Sequence, residues 1–365
     1  MTNRKLYEIA LTLIPGLGDV NGKKLVAYCG GAEAVFCEKK KALGKIPRIG
    51  DDVVQNIGSK AIMQRAEAEL EFIEKHSIKP LYYLDTEYPK RLQHCADSPI
   101  MLYYKGNADL NAQKTMGVVG TRSITEYGRR MVEMIVEGLE GSGILIISGL
   151  AYGVDAAAHK AALKYDLATV GVLGHGLQTV YPATNRKLST EMLEKGGILT
   201  EYISGTEPFP GNFPQRNRIV AGMTDCLVVV ESALKGGAMI TADIANSYDR
   251  EVFAVPGKVG DIYSEGCNQL IRTNKANLVT CAGDICYTMR WDIDTKTVAK
   301  QMRMFREFSD EEQSVMDAFG DTDIVHLDDI IVKTDLSPSK IASILLSLEF
   351  DGVLTALPGK RYQKL

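Results

Sequence analysis

The chain has 365 residues, 45% hydrophobic and 24% charged, with a formal net charge of −4. At roughly 150 residues per domain this points to two or three domains of ordinary globular composition, not a disordered chain. No apolar run reaches the roughly 18 residues of a membrane span, and the charge excludes a globally basic nucleic-acid coat while leaving room for a local basic groove.

The opening stretch, MTNRKLYEIALTLIPG, lacks a signal-peptide core followed by a small-residue cleavage site. The cysteines Cys29, Cys37, Cys95, Cys226, Cys267, Cys281 and Cys286 are odd in number and form no C-x-x-C. Neither a disulfide framework nor a zinc site is indicated. The expectation is a cytoplasmic protein with reduced thiols that fill core space, no metal and no cofactor.

Residues 1 to about 75 read as helices joined by Gly-containing turns. Ile14-Pro15-Gly16-Leu17-Gly18 separates two helical patterns, and Ile46-Pro47-Arg48-Ile49-Gly50 repeats the phrase. Such a turn lets two helices meet closely because Gly reaches φ > 0. In a helix-hairpin-helix pair it also exposes N–H groups that can hold a phosphate. The alternative is a helical packing module that touches no DNA.

From 115 to 285, β-branched runs alternate with helical stretches. Strands are expected at Thr115 to Val119, Ile144 to Ile147, Ala168 to Leu173, Ile198 to Thr200, Cys226 to Val230 and Val252 to Val255. Continuous apolar strands alternating with helices predict a parallel sheet covered on both faces. The fold class is therefore α/β, a Rossmann-like doubly wound, mostly parallel sheet, with ligands beyond the carboxyl ends of its strands.

Several expected strand ends carry glycine before a helix: Gly120, Gly149, Gly174 and Gly176, then Gly236-Gly237. Together they suggest a phosphate-binding edge, although βα turns also use Gly for geometry alone. No P-loop occurs, and no G-x-G-x-x-G sits in the right context. Phe213-Pro214-Gln215-Arg216-Asn217-Arg218 places two Arg around an Asn as a helix begins. Arg forks suit phosphate oxygens, and an aromatic beside them can stack on an unpaired base. Solvated Arg beside a buried Phe213 is the competing interpretation. Asp155 and His159, four apart on a helix, read as a helix-start carboxylate and a structural hydrogen bond. His175 either faces a ligand or sits in a solvated loop. Trp291 reads as an anchor at the start of a polar linker.

Taken in order, these blocks resemble the DprA/Smf family. The match runs through Gly120-Thr121-Arg122, Ser148-Gly149-Leu150-Ala151 with Gly153-Val154-Asp155 and His159, and Leu173-Gly174 with Gly176-Leu177 and Tyr181-Pro182. It continues through Phe213-Pro214, Arg216-Asn217-Arg218-Ile219-Val220-Ala221-Gly222, Ile240-Thr241-Ala242 and Val252-Phe253-Ala254-Val255-Pro256-Gly257. It covers about residues 80 to 285. Thr121 stands for the usual Ser, Gln178 for a common Asp, and Lys235-Gly236-Gly237-Ala238-Met239 for a Ser-Gly-Ser-Leu-type run.

The resemblance implies a helical sterile-alpha-motif or helix-hairpin-helix-like domain at 1–78 and the Rossmann-like core at 79–287. A linker at 288–307 and a winged helix at 308–365 complete the division. Leu327 to Val332, the stripe Ile341, Ile344, Leu345 and Leu348 after Ser337-Pro338, and strands around Pro358-Gly359-Lys360 fit that last domain. The helix after Ser337 offers Lys340 as its one cation, so sequence-specific duplex reading is not expected.

The resemblance further implies a non-enzymatic protein that binds single-stranded DNA, usually as a homodimer through the Rossmann-like domain. It would protect incoming strands and load RecA onto them during DNA uptake in natural transformation. Gly120, Thr121 and Arg122 would anchor phosphate, with Gly149, Gly174 and Gly176 allowing close approach of the strand. Arg216, Asn217 and Arg218 would complete the pocket, with Phe213 as base platform and Lys235, Gly236 and Gly237 as further contacts. The alternative is a nucleotide phosphoribohydrolase of the lysine-decarboxylase-like family. Its Pro-Gly-Gly-x-Gly-Thr motif and following Glu are missing at 235–243, where Asp243 is the only nearby acid. A duplex-binding regulator acting through the C-terminal tail is a further alternative.

Overall fold

The computed structural model describes residues 3–291, 308–320, 322, 324–350, 353–357 and 360–364. The chain forms two compact units, the first ending at 297 and the second beginning at 298. Most of the expected linker, and Pro358-Gly359 of the expected wing, lie outside the described residues.

The first unit opens with helices Asn3–Thr12, Asp19–Cys29, Ala32–Cys37, Lys40–Leu43, Asp51–Asn56 and Lys60–Lys75. Gly16 takes φ 77° in the turn between the first two. The helix Asp19–Cys29 lies so close to the sheet segment that a Cβ on Gly22 would stand 2.3 Å from Ile100 Cδ1. Ile9, Leu11, Leu25, Ala66 and Ile73 share one apolar cluster with Tyr82, Met101 and Tyr103 of the sheet. The turn after Ile14 therefore serves packing: Asp19 accepts the Ile100 N–H at 2.9 Å.

The sheet has nine strands. They are β1 Lys79–Tyr82, β2 Met101–Gly106, β3 Thr115–Val119, β4 Leu145–Ser148, β5 Thr169–Leu173, β6 Gly196–Thr200, β7 Cys226–Val229, β8 Glu251–Ala254 and β9 Asn277–Leu278. Their spatial order is β1-β2-β6-β5-β4-β3-β7-β8-β9. The run from β6 to β9 is parallel. β2 pairs antiparallel with β6, and β1 antiparallel with β2. The expected central strands are present. β1, β2 and the short β9 are additions, and β2 (Met-Leu-Tyr-Tyr-Lys-Gly) lacks the β-branched residues that mark the other strands.

Strand alternation sorts the core into layers. Met116, Val118, Ile146, Cys226, Val228 and Phe253 face the helices Glu126–Glu137, Val154–Lys164 and Ala282–Met289. Val119, Leu145, Ile147, Leu227, Val229 and Ala254 face Asn212–Gly222, Gly237–Ser247 and Glu265–Arg272. Each such Val, Leu or Ile contributes roughly 1.5–3 kcal/mol on burial. Trp291 packs, partly buried, on the first layer. All seven cysteines are free. Among the described residues no helix is long and apolar enough to cross a membrane.

The second unit is a winged helix. Helices Asp310–Asp317, Leu327–Lys333 and Pro338–Phe350 surround Val315, Phe319, Ile330, Ile341, Leu345 and Leu348. A capping box, Ser309 with Glu312, starts the first helix. Strands β10 Ile324–His326, β11 Leu354–Leu357 and β12 Arg361–Lys364 form an antiparallel sheet in the order β10-β12-β11.

Candidate nucleic-acid interface

β3 sits between β4 and β7, so the chain winds away from it in both directions. Such a reversal opens a crevice at the carboxyl ends of the strands, which is where doubly wound sheets hold ligands. A cavity of about 530 Å³ occupies it. Its wall is built from Val119 to Arg122 after β3, Gly149 and Ala151 after β4, and Ser232, Ala233, Gly236 and Gly237 after β7. The helix Asn212–Gly222 closes one side with Phe213, Pro214, Arg216, Asn217 and Val220. A smaller recess of about 50 Å³ adjoins it, lined by Val172 to His175 and sharing Arg122, Tyr181, Phe213 and Arg216.

The loop that carries Arg122 is held at several points. Thr121 N–H donates to the Glu231 carbonyl at 2.7 Å, and Val154 N–H donates to the Thr121 carbonyl at 3.1 Å. Thr125 caps the helix Glu126–Glu137, its hydroxyl accepting the Gly128 N–H at 3.1 Å. Thr125 N–H donates to the buried Glu231 carboxylate at 2.9 Å, and the Thr125 hydroxyl reaches the same group. Gly153 makes this arrangement possible. It has φ 77°, and a Cβ there would lie 2.2 Å from the Thr121 carbonyl oxygen.

Arg122 itself is exposed, with its guanidinium carbon 5.4 Å from the Phe213 ring centroid. Phe213 in turn stands 6.0 Å from the Tyr181 ring. A cation, a ring and a second ring thus line up at the boundary of the two cavities. The helix Gly237–Ser247 starts at the cavity with N-cap Gly236, which offers no side-chain cap. Its first N–H groups and the positive end of its dipole suit an anion.

Below this rim lies a buried pair. Arg216 is 5% exposed; its Nη1 donates to the Val172 carbonyl, and its Nε has no partner. Asp155 accepts the Ala151 N–H at 3.3 Å. Burial pushes the Asp155 carboxyl above its ordinary range, and the Arg216 charge pulls it back in part. His159 supports the same loop from beneath. Its Nε2–H donates to the Gly149 carbonyl at 2.5 Å, and its Nδ1 stands 2.6 Å from the Thr169 hydroxyl. Burial lowers its pKa to about 4, so the ring is neutral at pH 7. Asp155 and His159 thus hold structural hydrogen bonds.

Of the residues singled out in the sequence, Gly120, Thr121, Arg122, Gly149, Phe213, Arg216, Asn217, Gly236 and Gly237 line the larger cavity. Gly174 lines the smaller one. Three lie outside both. Gly176 is buried under the loop after β6, where a Cβ would meet the Ile203 carbonyl at 2.5 Å. Lys235 is an exposed residue of the preceding loop and does not line the wall. Arg218 lies one position on from the cavity-lining Asn217, and Nη2 binds Glu201 at 2.6 Å and Asp19 at 3.1 Å. It fastens the N-terminal helices to this helix and is no free phosphate clamp.

The sequence reading missed Ala151, Tyr181, Pro210, Ser232 and Thr241 as lining residues. Tyr181 carried a signal, being an exposed aromatic next to a Pro in the loop after β5. Thr241 stood in the Ile240-Thr241-Ala242 block of the resemblance without a role, and Ser232 carried no signal. His175 is buried, lines the smaller recess and sits with Nδ1 2.9 Å from the Gly176 carbonyl. Asp243, the only acid near the place of a hydrolase Glu, is exposed, pairs with Lys275 at 2.8 Å and does not line the cavity. Among the described residues no group of three or more His, Cys, Asp or Glu is placed to hold a metal ion.

In the winged helix, Ser339, Lys340, Ala342, Ser343, Leu346 and Glu349 form the exposed side of Pro338–Phe350. Lys340 is engaged by Glu311 at 3.0 Å. Base edges in the major groove are read by Arg, Lys, Asn or Gln. This helix face presents one Lys, already paired, one Glu, and otherwise small or apolar side chains.

These features define a Rossmann-like protein with a cavity at the switch point of its sheet, joined to a winged helix. Residues 79–290 match the model of the DNA recombination-mediator protein A family, and 306–360 match the DprA winged helix domain. The chain belongs to that DNA-processing family, DprA/Smf. It is 31% identical to Protein Smf of Synechocystis sp., over 99% of either chain. It is 41% identical to DNA processing protein DprA of Streptococcus pneumoniae over 55% of this chain and 71% of the relative. The X-ray structure of the S. pneumoniae protein superposes with a TM-score of 0.63 at 32% identity, covering 79% of this chain and 98% of that one. A solved structure of DNA processing protein A from Helicobacter pylori, described for its single-stranded DNA binding mode, gives 0.53 at 28% identity, over 58% of this chain and 95% of that one.

Proposed function

We propose that this chain binds single-stranded DNA in the switch-point cavity and acts as a recombination mediator. In this role it protects incoming strands and hands them to the recombinase RecA during DNA uptake. The observation that carries the reading is Arg122 stacked over Phe213 beside the uncapped start of Gly237–Ser247. Phosphate donors and a ring platform meet at one place, as an unpaired nucleotide requires. A duplex keeps its bases stacked inside and offers no free ring to Phe213. The H. pylori relative is described as a single-strand binder, which supports the same reading.

The binding set comprises Gly120, Thr121, Arg122, Gly149, Gly174, Phe213, Arg216, Asn217, Gly236 and Gly237. Arg216 acts from below as a buried charge, not as a surface fork. The protein works without bond-making chemistry of its own, as a homodimer through the 79–287 core. The 1–78 and 308–365 segments flank that core as separate functional parts.

The test is fluorescence anisotropy of labelled oligo-dT with wild type and Arg122→Ala over a salt series, with a duplex competitor. Binding should resist the duplex. The variant should bind more weakly, with a log–log salt slope shallower by roughly 0.7. Equal binding by the variant would move the site elsewhere. RecA handover is tested separately, by filament assembly on oligo-dT with and without the protein.

A further inference from the structure

The N-terminal helices carry a second glycine phrase, Ile46-Pro47-Arg48-Ile49-Gly50, which the switch-point cavity does not use. Ile46 and Ile49 are buried, whereas Arg48 is exposed. Arg48 also has φ 68°. That backbone region favours glycine, so an arginine is held there under strain. Among the described residues its side chain meets no acid, acceptor or ring. No contact within the chain offsets the strain.

The segment around Arg48 is basic in a chain whose net charge is −4. Positions 38–48 hold Lys39, Lys40, Lys41, Lys45 and Arg48 against one acid, Glu38. Glu38 accepts the Lys39 N–H at 2.8 Å, and Lys40 donates to the Gln55 carbonyl at 3.1 Å. The side chains of Lys39, Lys41 and Lys45 are exposed and, among the described residues, as free as that of Arg48. Cations gathered on one surface and left unpaired are the footprint of a polyanion.

An aromatic ring stands beside them. Tyr28, on the helix Asp19–Cys29, is 62% exposed. Lys24, four positions earlier, shares its face of the helix. Lys24 Nζ donates to the Pro47 carbonyl at 2.7 Å and so holds the Arg48 phrase against this helix. Burial, and after it the Glu38 charge, push the Cys29 thiol up. The lysine segment therefore borders the helix end that carries Tyr28. A duplex or a polyphosphate would use the cations alone. A free ring beside phosphate donors suits an unpaired strand, whose bases can stack on it.

We propose that Tyr28 with Lys39, Lys41, Lys45 and Arg48 is a second contact surface for single-stranded DNA, engaging the same strand that enters the switch-point cavity. The fold links the two places. Asp19 is tied at 3.1 Å to Arg218, the neighbour of the cavity-lining Asn217. From there the helix rises about 14 Å to Tyr28, which is about four nucleotides at a rise of about 3.4 Å per nucleotide. The joint use of both surfaces rests on the single-strand reading, but the second surface is built from different residues and is tested apart from it.

The experiment measures anisotropy of labelled dT30, dT6 and a 30-base-pair duplex with the full chain, over a salt series. Tyr28→Ala should weaken dT30 roughly fivefold or more, and Tyr28→Phe should restore it. The double variant Lys41→Gln, Lys45→Gln should flatten the dT30 log–log salt slope by roughly 1.4, at roughly 0.7 per phosphate contact. Both should change dT6 much less, because a short strand in the cavity does not reach the second surface. Urea midpoints should match the wild type, since these side chains are exposed. Wild-type binding of dT30 by both variants would overturn the proposal. So would an equal loss of the duplex, which would make the patch a general phosphate surface. If Arg122→Ala binds dT30 as the wild type does while Tyr28→Ala does not, the cavity reading fails and the N-terminal surface stands.

Discussion

Arg122 and Phe213 come from loops and helices more than 90 residues apart, yet the guanidinium carbon lies 5.4 Å from the ring centroid. The contact is worth about 0.5–1 kcal/mol at an exposed site, but its larger effect is to place charge and ring on one ligand. The two should therefore fail differently. Phe213→Leu keeps the phosphate contacts and removes the platform. It should weaken oligo-dT by roughly 1–3 kcal/mol at an unchanged salt slope, whereas Arg122→Ala should flatten the slope. Identical salt dependence in both variants would separate the ring from the strand.

Gly153 controls where Arg122 stands. Its φ is 77°, and a Cβ at this position would come within 2.2 Å of the Thr121 carbonyl oxygen, which leaves no room for a side chain. Gly153→Ala should cost about 1–3 kcal/mol in backbone strain alone, and should weaken oligo-dT because the loop bearing Arg122 must shift. Gly237→Ala is the control. Nothing lies within 4 Å of its Cβ position, so urea melts should find its stability unchanged or slightly raised. A Gly153→Ala protein with wild-type stability would show that the loop yields freely.

The central strands were legible because Val, Ile and Leu run continuously between glycine punctuations, and a parallel sheet buried on both faces demands that pattern. The rim glycines were legible for the same reason. Arg218 was not. Sequence places it two residues from Arg216, but on a helix the two point about 200° apart, and its partners Asp19 and Glu201 lie far away in the chain. Arg216 looked like a surface fork and is buried, because the Val172 carbonyl and Asp155 receive it. Both placements follow from long-range partners, which no local pattern encodes. The strands β1 and β2 were hidden in the same way, since only docking of the N-terminal helices explains an apolar run at Met101–Tyr104.

Arg218 is a structural tie, and its removal should be read in stability. Glu201 is 13% exposed beside it and would lose its counter-charge. Breaking a buried pair from one side typically costs about 3–5 kcal/mol. Arg218→Met should lower the urea midpoint markedly yet leave the salt slope of oligo-dT binding unchanged, because no phosphate contact is lost. A shallower slope would return Arg218 to the DNA-contacting set.

Two buried groups give the protein opposing pH dependences. Burial raises Glu201 from 4.5 to about 7, against the pull of Arg218. A raised carboxyl favours folding below its ordinary pKa, and that contribution is lost as pH rises from 4.5 through 7. Burial lowers His159 from 6.5 to about 4. A lowered imidazole favours folding above 6.5, and that contribution is lost as pH falls from 6.5 through 4. Each spans at most about 3.4 kcal/mol, at 1.36 kcal/mol per pKa unit. Between pH 4.5 and 6.5 the two slopes oppose each other in the wild type. Glu201→Gln removes one of them, so its stability, measured by urea unfolding at half-unit steps, should fall more steeply with acid than that of the wild type over this window. Parallel profiles for the two proteins would mean that Glu201 titrates alike folded and unfolded, and that its burial beside Arg218 exerts no net effect on its proton.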